Sequence, residues 1–140
     1  MSEATKPVSK SDRPEFRNIH ITQLPNYRLP LAGWVSILHR VSGMLLFLLL
    51  PFILFLLDKS LTSEISFAHF KGLTSGWFAK LVILALCWAY LHHFCAGIRH
   101  LMMDNHMGLG KDCARKSAAI VLTVSILLTI LVGLKLFGVF

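Results

Sequence analysis

Residues 81–104 read LVILALCWAYLHHFCAGIRHLMMD. From Leu81 to Ile98 no Asp, Glu, Lys or Arg occurs, and the run then passes directly into Arg99, His100 and Asp104. An uncharged apolar stretch of this length is a candidate membrane-spanning helix, because only a helix satisfies its own backbone inside hydrocarbon. The polar residues embedded in it are what make it informative. Ionisable side chains within a span cost several kcal/mol, so each one is a functional candidate by default.

Two similar stretches lie on either side. Toward the N-terminus, Val41 to Leu57 is uncharged, and Leu31 to Arg40 extends the helical pattern to roughly 40 Å at 1.5 Å per residue. That exceeds the ~30 Å hydrocarbon core, so one end lies in the interfacial zone or the helix tilts. Pro30 suits the first turn, and Pro51 removes a backbone hydrogen bond and is expected to kink the span. Toward the C-terminus, Ser117 to Leu134 is uncharged and is closed by Lys135. The expected organisation is an arm at 1–30, spans at 31–57 and 77–103, an outer loop at 58–76, an inner loop at 104–116, and a third span with the C-terminus at 117–140. The outer loop has room for an interfacial helical turn. The fold class is all-α membrane protein with three transmembrane helices, part of a multi-subunit helical bundle.

Composition agrees. Of 140 residues, 55% are apolar and only 15% charged, with a mean hydropathy of +0.65. An ordinary soluble domain is about a quarter charged, and a disordered chain is far less apolar. The net charge of +7 belongs to residues flanking the apolar runs, which points to topology and anionic headgroups rather than nucleic acid. The arm carries Lys6, Lys10, Arg13, Arg17 and Arg28, and the second loop region carries Arg99, Lys111, Arg115 and Lys116. Only Lys59, Lys71 and Lys80 flank the first loop, so the N-terminus is expected inside. Its mixed charge, including Glu3, Asp12 and Glu15, resembles neither a secretory signal nor an import leader. A bacterial inner membrane, or a mitochondrial inner membrane after processing, is the expected location. Cys87, Cys95 and Cys113 form no zinc or c-type haem motif and no even disulfide set.

Chemistry concentrates in two segments. In SILHRVSG, residues 36–43, Ser36 and Arg40 share a helix face that Gly43 continues, giving a hydroxyl and a guanidinium suited to a carbonyl or carboxylate at the membrane surface. A snorkelling anchor is the alternative role for Arg40. In the opening stretch, His93, Gly97, His100 and Asp104 stack as one stripe. A neutral imidazole within the bilayer suits axial ligation of haem iron, with Gly97 clearing space for a flat macrocycle. Hydrogen bonding between helices is the alternative role for His93. Its depth, about 15 Å from the inner end near Met103, is roughly mid-membrane, with Ser36 and Arg40 between that level and the inner surface, so that the propionates of a haem ligated there would, pointing inward, meet His39 and Arg40. Six-coordinate haem takes two axial ligands, and the third span has no histidine, so a second ligand must come from another polypeptide.

At these residues the chain resembles the cytochrome b556 subunits of succinate dehydrogenase, the three-helix anchors of respiratory complex II. The resemblance rests on Arg13-Pro14, YRLPL at 27–31, SILHRVSG at 36–43 and HFCAGIRHLMMD at 93–104, in family order and spacing. It implies that His93 rather than the adjacent His92 is the axial ligand of a haem b shared with a second small anchor subunit. It also implies that Ser36 and Arg40 belong to a ubiquinone site, and that His39 and Arg40 lie near the haem propionates. The implied partners are the flavoprotein and iron-sulfur subunits, which pass electrons from succinate to quinone. This chain would itself carry no succinate chemistry. A structural anchor without functional haem, or an anchor of a quinol:fumarate reductase, is the alternative assignment. Glu15 and His106 depart from the pattern, the second standing where a small residue is usual.

Overall fold

The computed structural model describes residues 20–139. The arm positions Arg13, Pro14 and Glu15 lie outside them. Ile21–Asn26 forms a 3-10 turn, followed by four helices: α1 (Leu31–Thr62), α2 (Glu64–Ser75), α3 (Trp77–Asp104) and α4 (Lys111–Leu136). No strand occurs among the described residues. The protein is all-α, and α1, α3 and α4 are each long and apolar enough to cross a membrane.

α1 opens at Pro30, whose φ of −64° and ψ of 155° place it at the cap, one residue before the first helical turn. The helix continues through Pro51 and past Leu57 to Thr62, about 48 Å at 1.5 Å per residue. Its last turn is extended by local side chains: Ser60 Oγ donates to the Leu57 carbonyl and Thr62 Oγ1 to that of Asp58. Ser63 then caps α2, exchanging side-chain and backbone hydrogen bonds with Ser66 in a capping box. Ser66 Oγ also donates to the Lys59 carbonyl at 2.6 Å, which ties the elbow together. α2 buries no residue and occupies most of the segment between the first two spans.

α3 ends in a left-handed cap. His106 has φ +60°, its N–H reaches the Met103 carbonyl, and the Met107 N–H reaches that of Met102. This is the Schellman pattern, which normally places Gly or Asn at the left-handed position. His106 adopts this conformation despite its side chain. α4 ends the same way, with Gly138 at φ +75°.

α3 is the middle helix, packed against both α1 and α4. Its neighbours run antiparallel to it: Gly43 meets His93 and Gly97 meets His39, while Leu84 meets Gly133 and Arg99 meets Ser117. The starts of α1 and α4 therefore share one end of the bundle with the close of α3. The core is narrow and made of small residues, with Val35, Ala96, Ala118 and Val121 at its centre and Ala89, Ser125 and Gly133 extending it. Small side chains let spanning helices approach closely where no hydrophobic driving force exists between them. Most large apolar side chains instead face outward, as bilayer-spanning helices require.

Candidate functional site

The polar residues picked out in the sequence are divided by helix rotation into an interior set and a crevice set. Ala89, His92, Ala96 and Arg99 recur at helical spacing on α3 and turn inward. His93 and His100 lie on the adjacent face, partly exposed, along the seam with α1.

Within that seam His39 of α1 and His93 of α3 stack face to face, with centroids 4.2 Å apart and planes 6° from parallel. His100 tilts against His39 at 4.9 Å. His93 Nδ1 lies 3.0 Å from the His39 backbone carbonyl and 3.3 Å from Ser42 Oγ. A carbonyl oxygen can only accept, so Nδ1 carries the ring hydrogen. In a neutral imidazole the lone pair is then on Nε2, which has no hydrogen-bond partner among the described residues. Ser42, only 6% exposed, donates its own hydrogen to the same carbonyl at 3.0 Å.

The close approach of the two helices is made at Gly43. A Cβ there would stand 2.7 Å from His93 Cε1 and 3.2 Å from Nδ1, closer than real Cβ contacts come. At Gly97 a Cβ would meet only His39 Nε2, at 3.6 Å, an ordinary contact. Gly43 is therefore the glycine that the packing of this chain demands, whereas a Cβ at Gly97, one turn from His93, would rest in ordinary contact with His39. Sequence spacing singled out Gly97 and passed over the steric role of Gly43 and the hydrogen bonds of Ser42. Depth could have found them, since Gly43 and His93 both stand about three turns from the shared end of the bundle.

Ser36 is half-buried one turn before Arg40, which is exposed. The expected continuous face of Ser36, Arg40 and Gly43 thus divides, with Gly43 turned to α3 and Arg40 away from the core. His92, adjacent to His93 in sequence, is fully buried and stacks on Trp88 at 5.5 Å, and neither of its ring nitrogens finds a hydrogen-bond partner among the described residues. Arg99, 5% exposed, donates from Nε to Ser117 Oγ at 2.9 Å and from a terminal nitrogen to the Ala114 carbonyl at 3.4 Å, joining α3 to α4. No group of three or more His, Cys, Asp or Glu among the described residues could hold a metal ion. The seam offers one imidazole nitrogen, His93 Nε2, without a hydrogen-bond partner among the described residues, rather than a closed coordination sphere.

Fold and crevice together define a class: a small multi-span membrane protein that gathers polar groups along one helix seam. The chain belongs to the succinate dehydrogenase/fumarate reductase transmembrane subunit family, whose pattern matches residues 15–132. It is 32% identical over 124 residues to the succinate dehydrogenase cytochrome b556 subunit of Paracoccus denitrificans, an overlap of 89% of this chain and 92% of that one. The protein of the same description from Coxiella burnetii is 38% identical over 112 residues, 79% of this chain and 89% of the relative. That from Rickettsia felis is 31% identical over 107 residues, 75% and 82% respectively.

Proposed function

We propose that this chain is a membrane-anchoring cytochrome b subunit of a succinate:quinone oxidoreductase, with His93 as one axial ligand of haem b. The observation that carries the proposal is the hydrogen bond from His93 Nδ1 to the His39 carbonyl, which leaves Nε2 as a lone-pair donor on a ring held at fixed tilt. Metal-ligating histidines characteristically donate their other ring N–H to a carbonyl in this way. His93, Gly97 and His100 are all partly exposed along the seam, which supports a flat macrocycle lying there that a second small anchor subunit would cover and ligate from its other side. Haem b, when bound, supplies a one-electron carrier within the bilayer.

The other residues have complementary roles. His39 holds the His93 ring through its carbonyl and its stacked imidazole, and with Arg40 it offers donors toward the propionates. Ser36 and Arg40 bind ubiquinone at the inner surface, where a hydroxyl and a guanidinium hydrogen-bond a quinone carbonyl and stabilise the negative charge that develops on its oxygen during reduction. The flavoprotein and iron-sulfur subunits dock on the same side and deliver the electrons. The basic balance of the loops sets the N-terminus in the cytoplasm of a bacterial cell, with the chain in the inner membrane.

Substitution in the assembled complex tests both parts. His93→Ala abolishes the reduced-minus-oxidised b-type band in membranes, whereas His92→Ala keeps it; a normal low-spin spectrum in the first variant would overturn the ligand assignment. Arg40→Ala lowers succinate-driven quinone reduction at least tenfold, the scale expected for loss of a charge-assisted hydrogen bond. Electron transfer to a soluble artificial acceptor stays intact. Equal loss with both acceptors would assign Arg40 to assembly instead.

A further inference from the structure

The crevice contains more than a ligand. Ser42 is almost fully buried, donates its hydrogen to the His39 carbonyl, and presents its oxygen to His93 Nδ1. Gly43, the next residue, permits the imidazole to lie where any side chain would push it away. A hydroxyl that accepts from a ring N–H restricts rotation of the ring and adds electron density to the opposite nitrogen. A missing Cβ fixes how far the ring settles into the helix. Resting on the haem-ligand reading above, we propose that Ser42 and Gly43 form the seat of His93, with Ser42 a positioning residue that sets the ring's angle and basicity and, through them, the potential of the bound haem.

His39 contributes its backbone carbonyl, which any residue would supply, and a stacked ring, so the side-chain hydrogen bond to Nδ1 comes from Ser42 alone. Partners of this kind around a ligating histidine orient the ring and raise its basicity. A more basic axial imidazole favours the ferric state. Removing the Ser42 oxygen takes one acceptor from the Nδ1–H, makes the ligand less basic and moves the haem potential upward. Threonine restores the oxygen at the same place. Gly43→Ala acts differently, by displacing the ring itself.

The test uses the complete complex in membranes, with the amount of this chain checked by immunodetection. Redox titration of the b-type band and low-temperature electron paramagnetic resonance of the ferric haem are the readouts. Ser42→Ala is expected to retain haem, to raise its midpoint potential and to alter its low-spin g values; Ser42→Thr returns both to wild type. Gly43→Ala is expected to lose most of the haem while the chain remains in the membrane. A potential that is unchanged or lowered in Ser42→Ala overturns the role of Ser42, and normal haem content and g values in Gly43→Ala overturn that of Gly43. His93→Ala separates the levels. If it keeps the spectrum, the ligand assignment itself fails; if it loses the spectrum while Ser42→Ala matches wild type, only the seat fails.

Discussion

His92 and His93 are neighbours in the chain with opposite surroundings. One ring is fully buried and stacked on Trp88, with neither nitrogen hydrogen-bonded among the described residues; the other donates to α1 and keeps Nε2 without a partner among them. The Val35 carbonyl faces His92 without hydrogen-bond geometry. A buried polar group without a partner costs on the order of 1–3 kcal/mol. His92→Leu, which keeps the volume and removes the polar atoms, is therefore expected to stabilise the detergent-solubilised complex by about 1 kcal/mol and raise its thermal unfolding midpoint. A lowered midpoint would show that His92 has a partner. At this scale the sequence was only half legible. Spacing could place His93 on a stripe with His100, but a 3.6-residue period cannot say which way two adjacent rings turn until the neighbouring helices are in place.

At the scale of elements, the spans were legible because uncharged runs of this length have few other solutions. The elbow between α1 and α2 was not. Its cap pairs Ser63 with Ser66 rather than with the Glu or Gln that usually marks a capping box, and its carbonyls are satisfied by Ser60, Thr62 and Ser66 one at a time. The rotation of α1 was equally hidden, because a helix apolar nearly all round has no period that identifies its contact face. Hence Gly43 reads in sequence as a continuation of the Ser36 and Arg40 face and in three dimensions as the floor under His93. The α3 terminus offers a direct energetic check. His106 and Gly138 hold equivalent left-handed positions at the ends of α3 and α4. Replacing His106 by Gly removes a left-handed penalty of about 1 kcal/mol, and Gly138→Ala introduces one of similar size. Thermal or denaturant unfolding should show the two shifts with opposite sign.

Across the whole molecule, charge and exposure are arranged by end rather than by face. Lys111, Arg115 and Lys116 gather at the start of α4, beside the start of α1 and the close of α3, and the exposed Cys113 lies among them. The proposed topology, read from the positive-inside rule, has this end in the cytoplasm. Cys113 should then be labelled by a membrane-impermeant thiol reagent in inverted vesicles and spared in intact spheroplasts, with Cys113→Ser as the control. Labelling in spheroplasts would reverse the topology. The outward-facing apolar surface, spread over all three spans, is what composition alone foretold. What composition could not supply is where that surface is interrupted, at the seam of His39, Ser42, His93 and His100.

The near absence of buried residues on α1 has a consequence in time. Of its 32 residues only Val35 and Ser42 are buried, and what covers them belongs largely to helices synthesised later. If α1 enters the bilayer first during translation, it does so before the helices that cover its buried residues have been made. Its all-round apolar middle suits it to that interval, and its polar groups lie toward its two ends. α3 and α4, joined by a short turn and latched by Arg99 on Ser117, form a hairpin against which α1 packs. The seam that holds His93 is thus made by two helices far apart in the chain, so the proposed binding crevice is expected to form only once α1 and α3 have met.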